Sequence, residues 1–449
     1  MNRIRYLEFH RKALFALYAF SFCTLIIYLT GFSPRSHFLG MIGWSQSQMA
    51  MSSVKTIPCL SRMNIVFLKT HKCASTSVQN ILMRYAHQRN LTIAVPIIPK
   101  NHYFSLTQPF RKEMIASAPW ENLGYNILCH HMVFNKAVIE KIMPKDSIYI
   151  SIIRNPVSLF ESLYEYDELQ DFYHMDIEEY AKGTKNSSTA TKLKNRSNGM
   201  GRNQMLFDFG VHPAFFNNRA MIIRAIENIE RNFDFIMVAE YFDESIILLK
   251  HILCWELDDV ISLTINARMK NYKKNLSDEA VKNLEEWNWG DKMLYEYFLA
   301  KFHKTMDEFG REQLKIEVEE LQRRRNEWFD YCIQKKVEAK NLTSYNIWSN
   351  KVAGYILKPN IDNVTCEDLV KPEKYFTSEI RQHQLIQSLS KGATFPNYGP
   401  MSFRRLIDLK FLKGKDQAVA RSMLTNQYKF RRRKNPIIKN DVLKQKHEV

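Results

Sequence analysis

Ile65-Val66-Phe67-Leu68-Lys69-Thr70-His71-Lys72-Cys73-Ala74-Ser75-Thr76-Ser77-Val78-Gln79-Asn80-Ile81-Leu82 decides the fold. Its first four residues form a short apolar run, suited to a buried strand. Val78, Ile81, Leu82 and Tyr85 stand at i, i+3, i+4 and i+7, one apolar face of a helix. Between strand and helix lies a polar loop with two lysines and several hydroxyls. Such a loop aims backbone N–H groups, hydroxyls and ammonium groups at one spot. A phosphate-like anion is held in this way at a helix N-terminus. The plainer alternative is a helix capped by Ser75 behind a solvated basic loop.

The loop is not a Walker A sequence, which needs G-x-x-x-x-G-K-[ST]. It contains no glycine. Lys72 through Ser77 instead resembles the 5′-phosphosulfate loop of Golgi carbohydrate sulfotransferases.

Further along, alternation supports a sheet with crossover helices. Strand-like runs lie at Ile65–Leu68, Asn126–Cys129, Ser147–Ile153 and Phe233–Val238. Helical patterns lie at Ser75–Gln88, Val157–Glu168, Asp243–Leu253 and Asp278–Phe302. This order predicts an α/β domain with a central parallel sheet flanked by helices. Ligands on such sheets bind at the carboxyl ends of the strands.

A second anchor follows the strand Ser147–Ile153, at Arg154-Asn155-Pro156. Proline fits the first helical turn, and Leu159, Phe160 and Leu163 give the helix an apolar face. Ser162 falls eight residues after Arg154. An arginine at a strand end and a hydroxyl on the next helix can grip one phosphate together. Alone, the pair reads rather as an arginine facing a carboxylate and a serine on a half-buried face.

The two anchors together resemble the donor site of sulfotransferases that use 3′-phosphoadenosine 5′-phosphosulfate (PAPS). Their wording is similar to the galactose-3-O-sulfotransferase family, which includes galactosylceramide sulfotransferase. Leu68-Lys69-Thr70-His71-Lys72 and Arg154-Asn155-Pro156 through Phe160-Glu161-Ser162-Leu163 carry the resemblance. So do Asn203-Gln204, Phe207-Asp208-Phe209-Gly210, Phe242-Asp243-Glu244-Ser245, Cys254-Trp255-Glu256-Leu257-Asp258-Asp259 and Trp287-Asn288-Trp289. Gly354-Tyr355, Lys358-Pro359 and Cys366 through Pro372-Glu373 continue it, so that it covers residues 63–395. Cys73 departs from the pattern, standing where Thr or another small polar residue is expected. A thiol is the weaker donor, so one loop contact is expected to be lost. The basic extension after residue 395 has no counterpart in the family.

The resemblance implies a P-loop-like sulfotransferase fold and transfer of a sulfuryl group from PAPS to the 3-hydroxyl of a galactose. The acceptor would be a galactose-terminated glycolipid or glycoprotein glycan, and a homodimer is allowed. Lys69, Thr70, Lys72, Ser75, Thr76 and Ser77 would hold the phosphosulfate end. Arg154 and Ser162 would hold the 3′-phosphate end. Lys72 would meet the charge growing on the leaving bridging oxygen, with Lys69 sharing that role or contacting the phosphate. A base must take the sugar proton. His131 is the first candidate, with His71 and Glu240 behind it. Cys129-His130-His131 alternates between faces of a strand and lacks a zinc spacing, so no metal is expected.

Bulk properties fix a setting. The chain has 449 residues, 45% hydrophobic and 25% charged, an ordinary globular balance. A formal net charge of +17 points to an anionic substrate or surface. Residues 13–32 lack a charged side chain and have the length of a bilayer span. Arg3, Arg5, Arg11 and Lys12 precede them, which predicts a cytoplasmic tail over 1–12 and a lumenal body. A cleaved signal peptide is the competing expectation. Residues 33–62 read as a stem, 63–395 as the folded body and 396–449 as a basic extension. Sequons at Asn90, Asn186, Asn195, Asn275, Asn341 and Asn363 agree with a lumenal body. So does an even six cysteines after the span; among them Cys332 with Cys366 is the expected disulfide. Residues 182–203 read as an exposed loop, a lid for the acceptor. Arg431-Arg432-Arg433-Lys434 reads as a solvated tail, and behind a membrane anchor nucleic acid is not the expected partner. These features predict a single-pass type II membrane protein with a lumenal body, and the resemblance implies that its compartment is the Golgi. Two other functions share these features: a kinase of the secretory pathway, and a glycan-binding protein on an inactive sulfotransferase-like fold.

Overall fold

The computed structural model describes residues 59–97, 102–116, 124–186, 201–265, 275–342, 345 and 352–390. The expected span over 13–32, the stem up to residue 58, Asn195, most of the 182–203 loop and the basic extension lie outside them. Among the described residues no helix is long and apolar enough to cross a membrane.

The centre is a four-stranded parallel sheet in the order β2-β1-β3-β4. Here β1 is Ile65–Leu68, β2 Ile127–Leu128, β3 Ile148–Ile153 and β4 Phe235–Val238. Ile65 pairs with Ile127 on one side and with Ile148 on the other, and Ile150 pairs with Phe235. All four β1 side chains are fully buried. A parallel strand covered on both faces is apolar along its whole length, which is why Ile65–Leu68 shows no alternation.

The principal helices are α1 (Ser75–Gln88), α2 (Pro156–Tyr166), α3 (Ile177–Gly183), α4 (Gln204–Asp208), α5 (Arg219–Asn232) and α6 (Phe242–Leu253). They continue with α7 (Asp278–Trp287), α8 (Trp289–Phe309), α9 (Arg311–Cys332), α10 (Val364–Val370) and α11 (Glu373–Ser390). An antiparallel hairpin, β5 (Ile333–Glu338) and β6 (Ala353–Leu357), joins α9 to the last two helices. One core surrounds the sheet. A smaller cluster built from Phe160, Tyr164, Tyr180, Leu284 and Trp287 lies between α2, α3 and α7.

Two elements differ from the sequence pattern in ways that shape the site. The single helix expected over Asp278–Phe302 is broken at Asn288. The buried Asn288 side chain bonds back to the Leu284 carbonyl and accepts from the Asn203 N–H, 3.0 and 2.9 Å. The break turns Asp291 inward, where its carboxylate accepts the Met205 and Leu206 N–H groups at the start of α4. The strand expected over Asn126–Cys129 contracts to two paired residues, because the chain beyond Leu128 pairs with residues 103–110 instead.

Cys332 is joined to Cys366, and Cys59 to Cys254 across 195 residues. Cys73 and Cys129 are buried thiols.

Gly210 ends the α4 turn with φ +89°. A Cβ there would lie 2.5 Å from the Phe134 carbonyl oxygen. Both the conformation and the contact exclude a side chain, so Gly210→Ala should cost about 2–4 kcal/mol of stability. Urea unfolding of the two proteins checks this; a loss below about 0.5 kcal/mol would contradict the packing described.

Candidate active site

The loop after β1 holds an uncommon shape without glycine. Lys72 and Ala74 both sit in the left-handed region, with φ 56° and 61°. Such residues persist only where their surroundings hold them. Here the Thr70 hydroxyl donates to the Ile152 carbonyl at 2.5 Å, tying the loop to β3. The Cys73 thiol donates to the His71 carbonyl, 3.1 Å, and faces the core. Arg154 Nη1 donates to the Lys72 carbonyl, 2.9 Å. The loop lysine and the arginine after β3 therefore meet at the carboxyl ends of adjacent strands.

Ser75 does not cap α1. It is the first helical residue, and its hydroxyl donates back to the Thr70 carbonyl at 2.6 Å. Ala74 stands at the cap, so no side chain covers the helix start. The first N–H groups of a helix lack intrahelical partners and carry its positive dipole end. Thr76 is half-buried at this turn, whereas Ser77 is buried with its hydroxyl toward the Leu263 carbonyl, 3.4 Å.

His71 and His131 stack, with ring centroids 4.3 Å apart. His131 Nδ1 lies 2.9 Å from the Lys69 carbonyl, which can only accept. Nδ1 therefore carries the proton and Nε2 the lone pair. His71 Nδ1 lies 2.8 Å from the Asp208 carboxylate, which also accepts the His71 backbone N–H at 2.8 Å. His71 thus takes the same tautomer. Gln204 Nε2 also donates to this carboxylate, 2.9 Å from Oδ1, the oxygen that the His71 Nδ1 reaches. Burial, then the charges of Lys69, His71 and His102, push the His131 imidazolium pKa well below the usual histidine range.

Lys69 turns away from the loop. Its ammonium is buried against the Glu373 carboxylate at the start of α11. Burial raises the Glu373 carboxyl pKa, but Lys69, His102 and His130 together hold it below the usual range. His130 faces the same interior, bonded to Thr377 at 2.9 Å, and burial brings its pKa down to about 3. Lys72 remains at the loop surface, its Nζ 3.4 Å from the centroid of the Tyr166 ring at the end of α2.

Asn155 caps α2 by accepting from Val157 and Ser158 N–H, both 3.1 Å, and its own N–H goes to Glu240 at 2.9 Å. Glu240 also accepts from the Tyr295 hydroxyl, 3.3 Å. It therefore steadies the Arg154 turn, away from the histidines. Ser162 is half-buried on α2. Of the sequons, Asn90, Asn186, Asn275 and Asn341 are exposed and Asn363 is half-buried at the cap of α10.

Asp208, Gln204 and Glu373 lie in stretches that carry the family resemblance, but the sequence assigns them no part in the site. Asp208 lies 137 residues from His71 and Glu373 lies 304 from Lys69, so no local spacing signals either pair.

The galactose-3-O-sulfotransferase family profile matches residues 3–384. Galactose-3-O-sulfotransferase 2 of Sus scrofa is 32% identical over 352 residues, covering 74% of this chain and 87% of that protein. The Homo sapiens protein of the same name is 32% identical, with 74% and 86% covered. Galactosylceramide sulfotransferase of Homo sapiens is 30% identical over 364 residues, with 74% and 81% covered.

Removing Glu373 would strand a buried ammonium directly beneath the loop. Glu373→Ala should cost about 3–5 kcal/mol, the usual penalty for breaking a buried ion pair from one side. The double change Lys69→Met with Glu373→Leu should recover most of it. Denaturation of both variants reads the result; an unaltered midpoint in Glu373→Ala would show that the pair is solvated.

Proposed function

The chain belongs to the galactose-3-O-sulfotransferase family, and from that premise we propose that it moves a sulfuryl group from PAPS to the 3-hydroxyl of a galactose residue. The acceptor would be a glycolipid or glycoprotein glycan. Membership makes the chain a carbohydrate sulfotransferase. The observation that supports the donor assignment is the bond from Arg154 to the Lys72 carbonyl, which puts both cationic anchors at one place.

PAPS is a substrate here, an activated sulfate on the 5′-phosphate of a nucleotide with a second phosphate at 3′. The uncapped start of α1, Thr76 and Lys72 suit the phosphosulfate end. Arg154 and Ser162 suit the 3′-phosphate. Lys69 and the hydroxyls of Thr70, Ser75 and Ser77 shape the loop from beneath, through the contacts described above. Lys72 can follow the charge on the departing bridging oxygen.

As the sugar oxygen bonds to sulfur, the bond from sulfur to the phosphate oxygen breaks. The sugar proton passes to a histidine, and 3′-phosphoadenosine 5′-phosphate (PAP) leaves. The geometry favours His71 over His131 for that proton. An imidazolium at His71 would rest on the Asp208 carboxylate. His131 is held neutral by burial and by its cationic neighbours. A neutral His131 can still accept a hydrogen bond from the acceptor at Nε2. We place this body in the Golgi lumen behind a type II anchor at residues 13–32. Two disulfides and exposed sequons support that setting.

His71→Ala should lower kcat by about 10²–10⁴-fold, and Asp208→Asn should also lower kcat with little change in donor KM. Arg154→Ala should mainly raise donor KM. Kinetics with labelled PAPS and a panel of galactosides test this, with the modified position mapped by NMR. Sulfate at another hydroxyl would refute the 3-O assignment, and full turnover in His71→Ala would refute the base. Peptide N-glycosidase treatment of the protein made in animal cells should lower its apparent mass stepwise; an unchanged mass would count against a lumenal body.

A further inference from the structure

Residues 102–110 run beside the segment that leaves β2. Tyr103 forms a parallel bridge with His131, and Pro109 with Val133. Phe104 and Phe110 N–H groups donate to the His131 and Val133 carbonyls, both 2.9 Å. Side chains alternate along such a segment, and bridged partners share a face. Phe104 is buried with its ring edge-on to His130, centroids 5.7 Å apart. The next residue back, Tyr103, therefore lies on the opposite face, the one that His131 shares in its stack with His71. Tyr103 is half-buried, and its phenol has no hydrogen-bond partner among the described residues. The His102 ring meets it edge-on at 5.5 Å.

We propose that Tyr103 is the platform on which the acceptor sugar stacks beside the histidine pair. This rests on the galactose 3-O-transfer reading and names a residue that sets its acceptor specificity. A tyrosine offers an apolar face and one polar tip. A galactopyranose has a matching form, because its axial 4-hydroxyl leaves the opposite ring face lined with C–H groups. The 3-hydroxyl lies at the rim of that face. A sugar stacked on Tyr103 would direct this hydroxyl sideways to the Nε2 atoms. The phenol would be left to bond a neighbouring hydroxyl. Tyr103 binds and orients the acceptor, and takes no part in proton or sulfuryl transfer.

The full-length protein in detergent, with Tyr103→Ala and Tyr103→Phe, tests the platform. Acceptor KM for a β-galactoside should rise roughly tenfold in Tyr103→Ala, the size of a lost aromatic contact. Tyr103→Phe should raise it less than about threefold, because the ring is kept. Donor KM, and PAP binding by titration calorimetry, should stay within about twofold in both. Retained PAP binding shows that the variants fold, and Tyr103→Leu provides a second variant without a ring. Acceptor KM unchanged in both Ala and Leu variants would overturn the proposal, as would donor and acceptor KM rising together. If the wild-type protein sulfates no galactoside, the functional reading itself fails. Saturation-transfer NMR on the PAP-loaded protein then still reads the platform. Transfer to the galactoside ring C–H protons should occur in the wild type and disappear in Tyr103→Ala. No transfer in the wild type would also overturn it.

Discussion

The Asp208 carboxylate is the constraint on which the site depends. It accepts both the backbone N–H and the imidazole of His71, so it fixes a loop position and a side-chain orientation at once. The loop needs such a hold, because two non-glycine residues sit at positive φ. Strain of that kind costs of order 1–3 kcal/mol per residue. Asp208 is steadied in turn by Gln204, and the start of its helix by Asp291. Asn288 then holds Asn203, which stands one residue ahead of that helix. The Asp208 carbonyl also takes the Phe134 N–H, three residues beyond His131. One buried polar chain therefore sets the positions of both histidines.

Electrostatics follow from this arrangement. Both imidazoles donate through Nδ1, one to a carboxylate and one to a carbonyl. Only the carboxylate balances a positive charge. Stacked rings 4.3 Å apart repel each other if both are protonated. A charge on His71 would therefore add to the burial that keeps His131 neutral. Lys69 would add a further positive charge beneath them, but Glu373 offsets it within the core. Lys72 and Arg154, both half-buried, lie at the loop outside that pair.

Local pattern made the sheet and its crossover helices legible. The apolar run of β1, the period of α1 and the Asn155-Pro156 start of α2 each depend on residues a few positions apart. The two anchors were legible for the same reason, since each is a strand end with its following turn. Pairings made by the chain's return were not. Nothing near Lys69 announces a carboxylate from α11, and nothing near His71 announces α4. Cys59 with Cys254 is hidden by a separation of 195 residues, whereas Cys332 and Cys366 are only 34 apart. The break at Asn288 is invisible to periodicity, because Leu284, Trp287 and Leu294 keep an apolar face across it. Only the Asn203 partner makes the interruption worthwhile. Ser75 had the residue type of a cap, but the left-handed Ala74 moved it one position into the helix.

Cys73 shows how the same local logic can mislead. A loop residue flanked by lysine and alanine suggests a side chain aimed at the ligand, and a thiol there suggests a weakened contact. The left-handed turns on either side, at Lys72 and Ala74, direct that side chain inward instead. It is fully buried and donates to the His71 carbonyl. Burial also pushes the thiol far above its usual range, so it stays protonated and able to donate. The position requires a small side chain with one inward donor, which a hydroxyl or a thiol can supply. The exchange therefore leaves the outer side of the loop, where Thr76 and the half-buried Lys72 and Arg154 lie, unaltered.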